Sequence, residues 1–175
     1  MKQLLTLCLL SLLSFGGYAQ SKPSKKQTLD YLDKTLKMSV GYVTYKNEKG
    51  TKYRIEGASF YPAEVKYEFN FYASSTDQNY LKYEQYSNIH WEDLEEVKIE
   101  RNSKTMDKEL TRIYIRFATK IRYDAQGGGD AIEMDDDMHY PTSFTLYILK
   151  TKAESVKKAL ERLRERAKEE NKDPS

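Results

Sequence analysis

TRIYIRFATKIRY, residues 111–123, alternates Ile113, Ile115, Phe117, Ile121 and Tyr123 with Arg112, Tyr114, Arg116, Lys120 and Arg122. A period of two, with one apolar and one charged face, is the pattern of a half-buried β-strand. Just upstream, EEVKIE at residues 95–100 repeats it, with Val97 and Ile99 dry and Glu96, Lys98 and Glu100 wet. Pairing the two through a loop centred near Met106 sets Glu100 opposite Arg112 and Glu96 opposite Arg116. Each cross-strand pair of this kind contributes about 0.2–1 kcal/mol.

Working outward, the period of two runs from Gly41 to Lys150. Residues 41–46 and 51–60 flank the turn Asn47, Glu48, Lys49, Gly50 and predict a hairpin. Pro62 then interrupts the ladder, because proline has no N–H to give. Beyond it Tyr67, Phe69 and Phe71 line one face, and after a turn at Ser74 to Asn79, Leu81 and Tyr83 resume the apolar phase with Lys82 and Glu84 outward. A final strand, Phe144 to Lys150, sets Phe144, Leu146 and Ile148 on one side and Tyr147 and Leu149 on the other. Tyr67, Tyr83 and Tyr123 follow the apolar phase and are expected in the core; Tyr72, Tyr114 and Tyr147 follow the opposite phase.

Helical patterns bracket this region. Thr28 is the expected N-cap of a helix through about Met38, whose stripe Leu29, Leu32 and Leu36 is assigned to cover Tyr147 and Leu149. At the other end Thr151 and Glu154 form a capping box, and Ala153, Val156, Leu160, Leu163 and Ala167 recur at steps of three and four. The repeat covers about two heptads, short of a coiled coil, so it predicts a helix packed on the sheet of a monomer. The fold class read here is α+β. A curved antiparallel sheet or small barrel of about six or seven strands carries an N-terminal helix and a C-terminal capping helix.

Residues 1–19, MKQLLTLCLLSLLSFGGYA, have the form of a secretory signal: Lys2, an apolar run from Leu4 to Phe15, then Gly17 and Ala19 at small-x-small spacing. The run is shorter than the roughly 20 residues a bilayer span requires. Cleavage before Gln20 is expected, giving an exported protein, periplasmic or extracellular, without a transmembrane span. The domain reading follows: signal 1–19, flexible lead 20–27, one α+β domain 28–170, frayed tail 171–175. Cys8, the single cysteine of the chain, leaves with the signal, so no disulfide or thiolate-held zinc is expected. A formal charge of +2 is far from the excess that a phosphate backbone attracts, which argues against nucleic acid. The chain is 32% charged, but 15 tyrosines among its 175 residues point to a folded domain rather than disorder.

Two groups of residues carry possible chemistry. Arg112, Arg116 and Arg122 form a basic stripe with Tyr114 and Tyr147 nearby in phase; facing glutamates would neutralise it, and an anionic ligand is the competing use. The long connection from Asp124 to Ser143 holds Gly127, Gly128 and Gly129 and gathers Asp130, Glu133, Asp135, Asp136, Asp137 and His139. Clustered carboxylates suit calcium, but their spacing departs from the EF-hand loop, so no metal is assigned. No phosphate-binding glycine motif, zinc-protease helix or nucleophile elbow is present, and no cofactor is expected.

The stretch IHWEDLEEVKI, residues 89–99, followed by two strands and a terminal helix, resembles pleckstrin-homology and GRAM-type domains over residues 41–168. The resemblance implies a bent sheet capped by the last helix, and a binding module rather than an enzyme. The function read from the sequence is therefore an exported binding or interaction module, with a protein, lipid or glycan of the envelope as partner. The alternatives are an enzyme using the acids of the 124–143 loop, or a structural envelope protein.

Overall fold

A computed structural model describes residues 23–46, 52–72, 79–100, 106–128 and 140–172, and among these described residues it has eight strands and two α-helices. In chain order they are α1 (Lys25–Lys37), β1 (Val43–Lys46), β2 (Lys52–Tyr61), β3 (Glu64–Tyr72), β4 (Asn79–Ser87), β5 (Leu94–Glu100), β6 (Leu110–Phe117), β7 (Arg122–Gly128), β8 (Ser143–Leu149) and α2 (Ala153–Glu170). All pairings are antiparallel: β1-β2-β3-β4-β7 form one sheet and β5-β6-β8 the other. The α+β class holds, with the strands divided between two sheets that do not close into a barrel.

The β5–β6 register matches the expectation from alternation, with Glu96 facing Arg116 and Glu100 facing Arg112. The stretch 111–123, however, is not one strand. It leaves the three-stranded sheet after Phe117, crosses through Ala118 to Lys120, and re-enters the five-stranded sheet as β7. Phe117 N–H donates to the Thr142 carbonyl at 2.8 Å, Ala118 N–H to Asp93 at 2.9 Å and Ile121 N–H to Pro141 at 2.9 Å, so the crossing keeps its backbone bonds. Phe117 and Ile121 keep the same phase across it, so the alternation hides the break. The long connection read from Asp124 to Ser143 is accordingly shorter and starts after β7, because Asp124 to Gly128 belong to that strand.

A second crossing lies at Asn88, whose φ of 57° turns the chain out of β4. Short polar side chains tolerate this left-handed region better than most. Trp91 then opens a single 3₁₀ turn and its indole N–H donates to the Pro62 carbonyl at 2.7 Å. Pro62 sits in the two-residue turn between β2 and β3, where Tyr61 faces Glu64.

Both helices differ from expectation at their N-termini. Ser24 caps α1, not Thr28: Gln27 N–H donates to Ser24 Oγ at 3.2 Å, and Ser24 N–H donates to Gln27 Oε1 at 2.8 Å. This reciprocal box satisfies two of the orphan donors of a helix start, so Ser24 to Gln27 belong to the helix and its cap rather than to a flexible lead. Thr28 is buried on the inner face with Leu32, Thr35 and Leu36. At α2 a 3₁₀ turn over Lys150–Lys152 precedes the helix, and Lys152 at the N-cap makes no side-chain cap, so the Thr151/Glu154 box does not form. The apolar stripe is as read, with Ala153, Val156, Leu160, Leu163 and Ala167 all buried.

Helix α1 rests chiefly on β2 and α2, with a smaller contact to β8. Asp33 fixes it there, accepting from the Phe60 N–H at 3.0 Å. Tyr147 packs against rings of β3: its ring meets Tyr67 at 5.8 Å and Phe69 at 6.1 Å, both edge-on. A row of rings ties the two sheets together. It runs Phe60, Trp91, Phe117, Phe144, Tyr86, Tyr123, with successive centroids 4.7–5.8 Å apart. Apart from its last two members, the row is buried.

Candidate ligand-binding cleft between the sheets

Strand β4 turns its charged side chains, not its apolar ones, toward the core face. Residues directly opposite in an antiparallel pair share a face. Lys82 lies opposite Phe69, Glu84 opposite Tyr67 and Tyr86 opposite Val65, and those three β3 partners are all buried. Lys82, Glu84 and Tyr86 therefore point inward, while Leu81 and Tyr83, expected in the core, are 42% and 43% exposed. Tyr83 lines instead a groove of about 280 Å³ with Lys66, Glu68, Gln85, Asp124 and Gln126, to whose lining Tyr67 and Glu84 also contribute.

The neighbouring strand makes room for this inversion. On β7 Lys82 faces Gly127 and Glu84 faces Ala125, the two smallest side chains available, while Tyr86 faces Tyr123. Lys82 Nζ lies 2.5 Å from Glu84 Oε1, and the Tyr86 hydroxyl donates to Glu84 Oε2 at 3.3 Å. The two charged side chains keep 23% and 17% of their surface, so water reaches the pair from one end. Burial works against the Lys82 ammonium, but the hydrogen bond and charge of Glu84 outweigh it and hold its pKa above the ordinary lysine value. Lys82 is charged at neutral pH.

The three-stranded sheet meets this face through Tyr147, whose ring contacts Tyr67 and Phe69. Glu100, Arg112 and Tyr147 stand in one row across β5, β6 and β8. Arg112 Nε is 3.2 Å from the Glu100 carboxylate, close enough for an ion pair, yet it is buried without a hydrogen bond among the described residues. Burial pushes the Tyr147 hydroxyl up, and Glu84 pushes it further, while Arg112 and Lys82 pull it back: one phenol senses both ion pairs. Burial and Glu84 likewise raise Tyr86 and Tyr123, and burial raises Tyr67. All four phenols stay protonated and able to donate. Toward the open end the inner face continues as half-buried Tyr53, Phe71 and Tyr80, with Phe71 4.9 Å from Tyr53 and 6.0 Å from Tyr80.

The residues singled out from the sequence are partly assembled here. Arg112 and Tyr147 are neighbours in the cleft wall, and Tyr114 stands in the next row, opposite Lys98 and Thr145. Arg116 lies at the far end of the same face, engaged by Glu95 and Glu96. Arg122 is on the other sheet, held by Asp124 at 2.8 Å, so the three arginines do not form one stripe. Asp130, Glu133, Asp135, Asp136, Asp137 and His139 lie outside the described residues, as do the signal, the turns at 47–50 and 74–78 and the last residues of the tail. Among the described residues no three acidic, histidine or cysteine side chains gather as a metal site, and no helix is long and apolar enough to cross a membrane.

Lys82, Glu84, Tyr86 and Tyr123 were not foreseen as a group. Leu81 and Tyr83 outvoted them in the apolar count of β4, although Tyr80 and Tyr86 mark the true inward phase from its two ends. Comparison with known proteins finds no matching family model, no matching curated protein and no matching solved structure.

Proposed function

We propose that the chain is an exported binding module whose ligand occupies the cleft between the sheets, at Lys82, Glu84, Tyr86, Tyr123, Tyr147 and Arg112. One observation carries the reading: β4 turns an ion pair inward and two apolar side chains outward, against its own hydrophobic interest. Removing two charges from water is costly, and well-packed hydrophobic replacements of such pairs are neutral or stabilising by about 1–4 kcal/mol. Departures of this kind from local consistency concentrate at functional sites. Aromatic walls with a few converging polar groups are the usual make-up of a ligand site. The pleckstrin-homology resemblance enters only as analogy, in that such domains bind more often than they catalyse.

The test needs no ligand. The double variant Lys82→Met/Glu84→Leu should be as stable as the parent or more so in urea melts, while Glu84→Leu alone, which strands an ammonium, should be the less stable of the two. A double variant less stable than the single one would make the pair a structural strut and remove the argument. Export is tested separately by intact mass after expression with residues 1–19 in a secreting host. The reading expects a chain beginning at Gln20, and a mass that retains Met1 to Ala19 would refute it.

A further inference from the structure

Away from the cleft, and sharing no residue with it, the two helices flank a groove of about 620 Å³ lined by Gln27 and Tyr31 of α1 and by Ser155, Lys158 and Arg162 of α2. We propose that this groove binds a phosphomonoester, with its doubly charged phosphate between Lys158 and Arg162. The charge in the groove is unmatched. Two cations line it, and no acidic side chain does so among the described residues. Nearby cations are engaged, Lys25 by Glu170 and Arg166 by Glu169. Lys158 and Arg162 have no hydrogen-bond or ion-pair partner among the described residues. Carboxylates are within helical reach: Glu154 and Glu161 stand four positions before and three after Lys158, and Glu165 three after Arg162. None of them takes either cation, so both charges are left for a ligand.

The neutral groups of the lining favour the same sign. Gln27 spends its carbonyl oxygen on the Ser24 N–H at 2.8 Å, which leaves its amide nitrogen, with two donors, for the groove. The Ser155 and Tyr31 hydroxyls add a donor each. The first turn of α1, where the helix dipole favours negative charge, holds no acid of its own. Charge and shape then choose among anions. A carboxylate brings one charge and leaves one of the two cations unmatched, whereas a phosphomonoester carries about −1.5 to −2 at neutral pH and three strong acceptor oxygens. The planar guanidinium of Arg162 fits two of those oxygens at once, and the Lys158 ammonium serves as a point charge beside it. Room remains for the rest of the ester: the groove is within the range of small-molecule sites, about 300–1,000 Å³. Half-buried Tyr31 and buried Ala159 offer apolar surface to its organic part.

The experiment titrates the full exported chain with phenyl phosphate, alongside benzoate and phenyl sulfate as singly charged arms, and follows NMR signals of Tyr31, Ser155 and Arg162. Saturable shifts with phenyl phosphate, weakened about tenfold or more by Arg162→Gln and unaffected by Lys120→Gln, support the proposal. Lys158→Gln, at an exposed position that the fold does not need, should weaken binding as well and keeps the test independent of folding. Vesicles of phosphatidylcholine with and without phosphatidic acid separate a lipid headgroup from a free ester: co-sedimentation only with phosphatidic acid, lost in Arg162→Gln, supports the site with a lipid as its source. Binding of benzoate or phenyl sulfate as tight as that of phenyl phosphate overturns the phosphomonoester assignment. Co-sedimentation retained in Arg162→Gln with no response to the free ester points to a general basic surface and overturns the groove, as does no shift with any probe. None of these outcomes bears on the cleft, which the Lys82→Met/Glu84→Leu variant tests by itself.

Discussion

Tyr67 shows how much one side chain of this fold does. It is 1% exposed, stacks on Phe69 at 5.4 Å, and its hydroxyl oxygen accepts the Tyr147 backbone N–H at 2.9 Å, joining the two sheets by a bond that neither ladder supplies. Burial raises its pKa well above the free phenol value, and burial with the charge of Glu84 does the same for Tyr86. The sign of the linkage follows. With folded pKa values raised, the stability these phenols contribute is complete below the unfolded value of about 10 and is lost as pH rises toward the folded values. Alkaline titration followed by phenolate absorbance and by circular dichroism should therefore show the last phenols ionising together with loss of the fold. Full ionisation with native dichroism intact would mean that Tyr67 and Tyr86 are not buried as described.

At the scale of elements, legibility depended on whether a strand's apolar phase was also its inward phase. In β6, Ile113, Ile115 and Phe117 are inward and apolar, and the register with β5 followed directly from their partners. The α2 stripe was legible for the same reason. Strand β4 was misread because Leu81 and Tyr83 are apolar yet exposed, a choice made by its neighbours Gly127 and Ala125 rather than by its own residues. The crossing from β6 to β7 was hidden because Ala118, Thr119 and Lys120 contain neither glycine nor proline to mark it. Two of the six residues of the candidate site, Arg112 and Tyr147, were therefore visible in the sequence, and the other four required the pairing partners. Thermal melts test the inversion. Leu81→Ser and Tyr83→Ser should each stay within about 0.5 kcal/mol of the parent, while Phe69→Ala should cost about 3–5 kcal/mol. Large losses from the two β4 serine variants would restore the opposite phase.

For the molecule as a whole, the row from Phe60 to Tyr123 sets core and cleft in one continuous structure. Its inner members are closed over by α1 and α2, and its last two, Tyr86 and Tyr123, stand beside Lys82 and Glu84 at the edge of the core. The helices and the stacked rings supply the stability, which leaves the far half of the five-stranded sheet free to carry polar groups that stability alone would not select. The resulting architecture places a phenol-lined wall carrying the Lys82–Glu84 ion pair at the end of an apolar core. That wall exists only if β4 faces inward with its charged side chains, and nuclear Overhauser contacts measure this directly. The account predicts contacts from the Tyr123 ring to the Lys82 side chain and from the Tyr86 ring to Phe144; contacts from Leu81 and Tyr83 to Phe69 and Tyr67 in their place would contradict it.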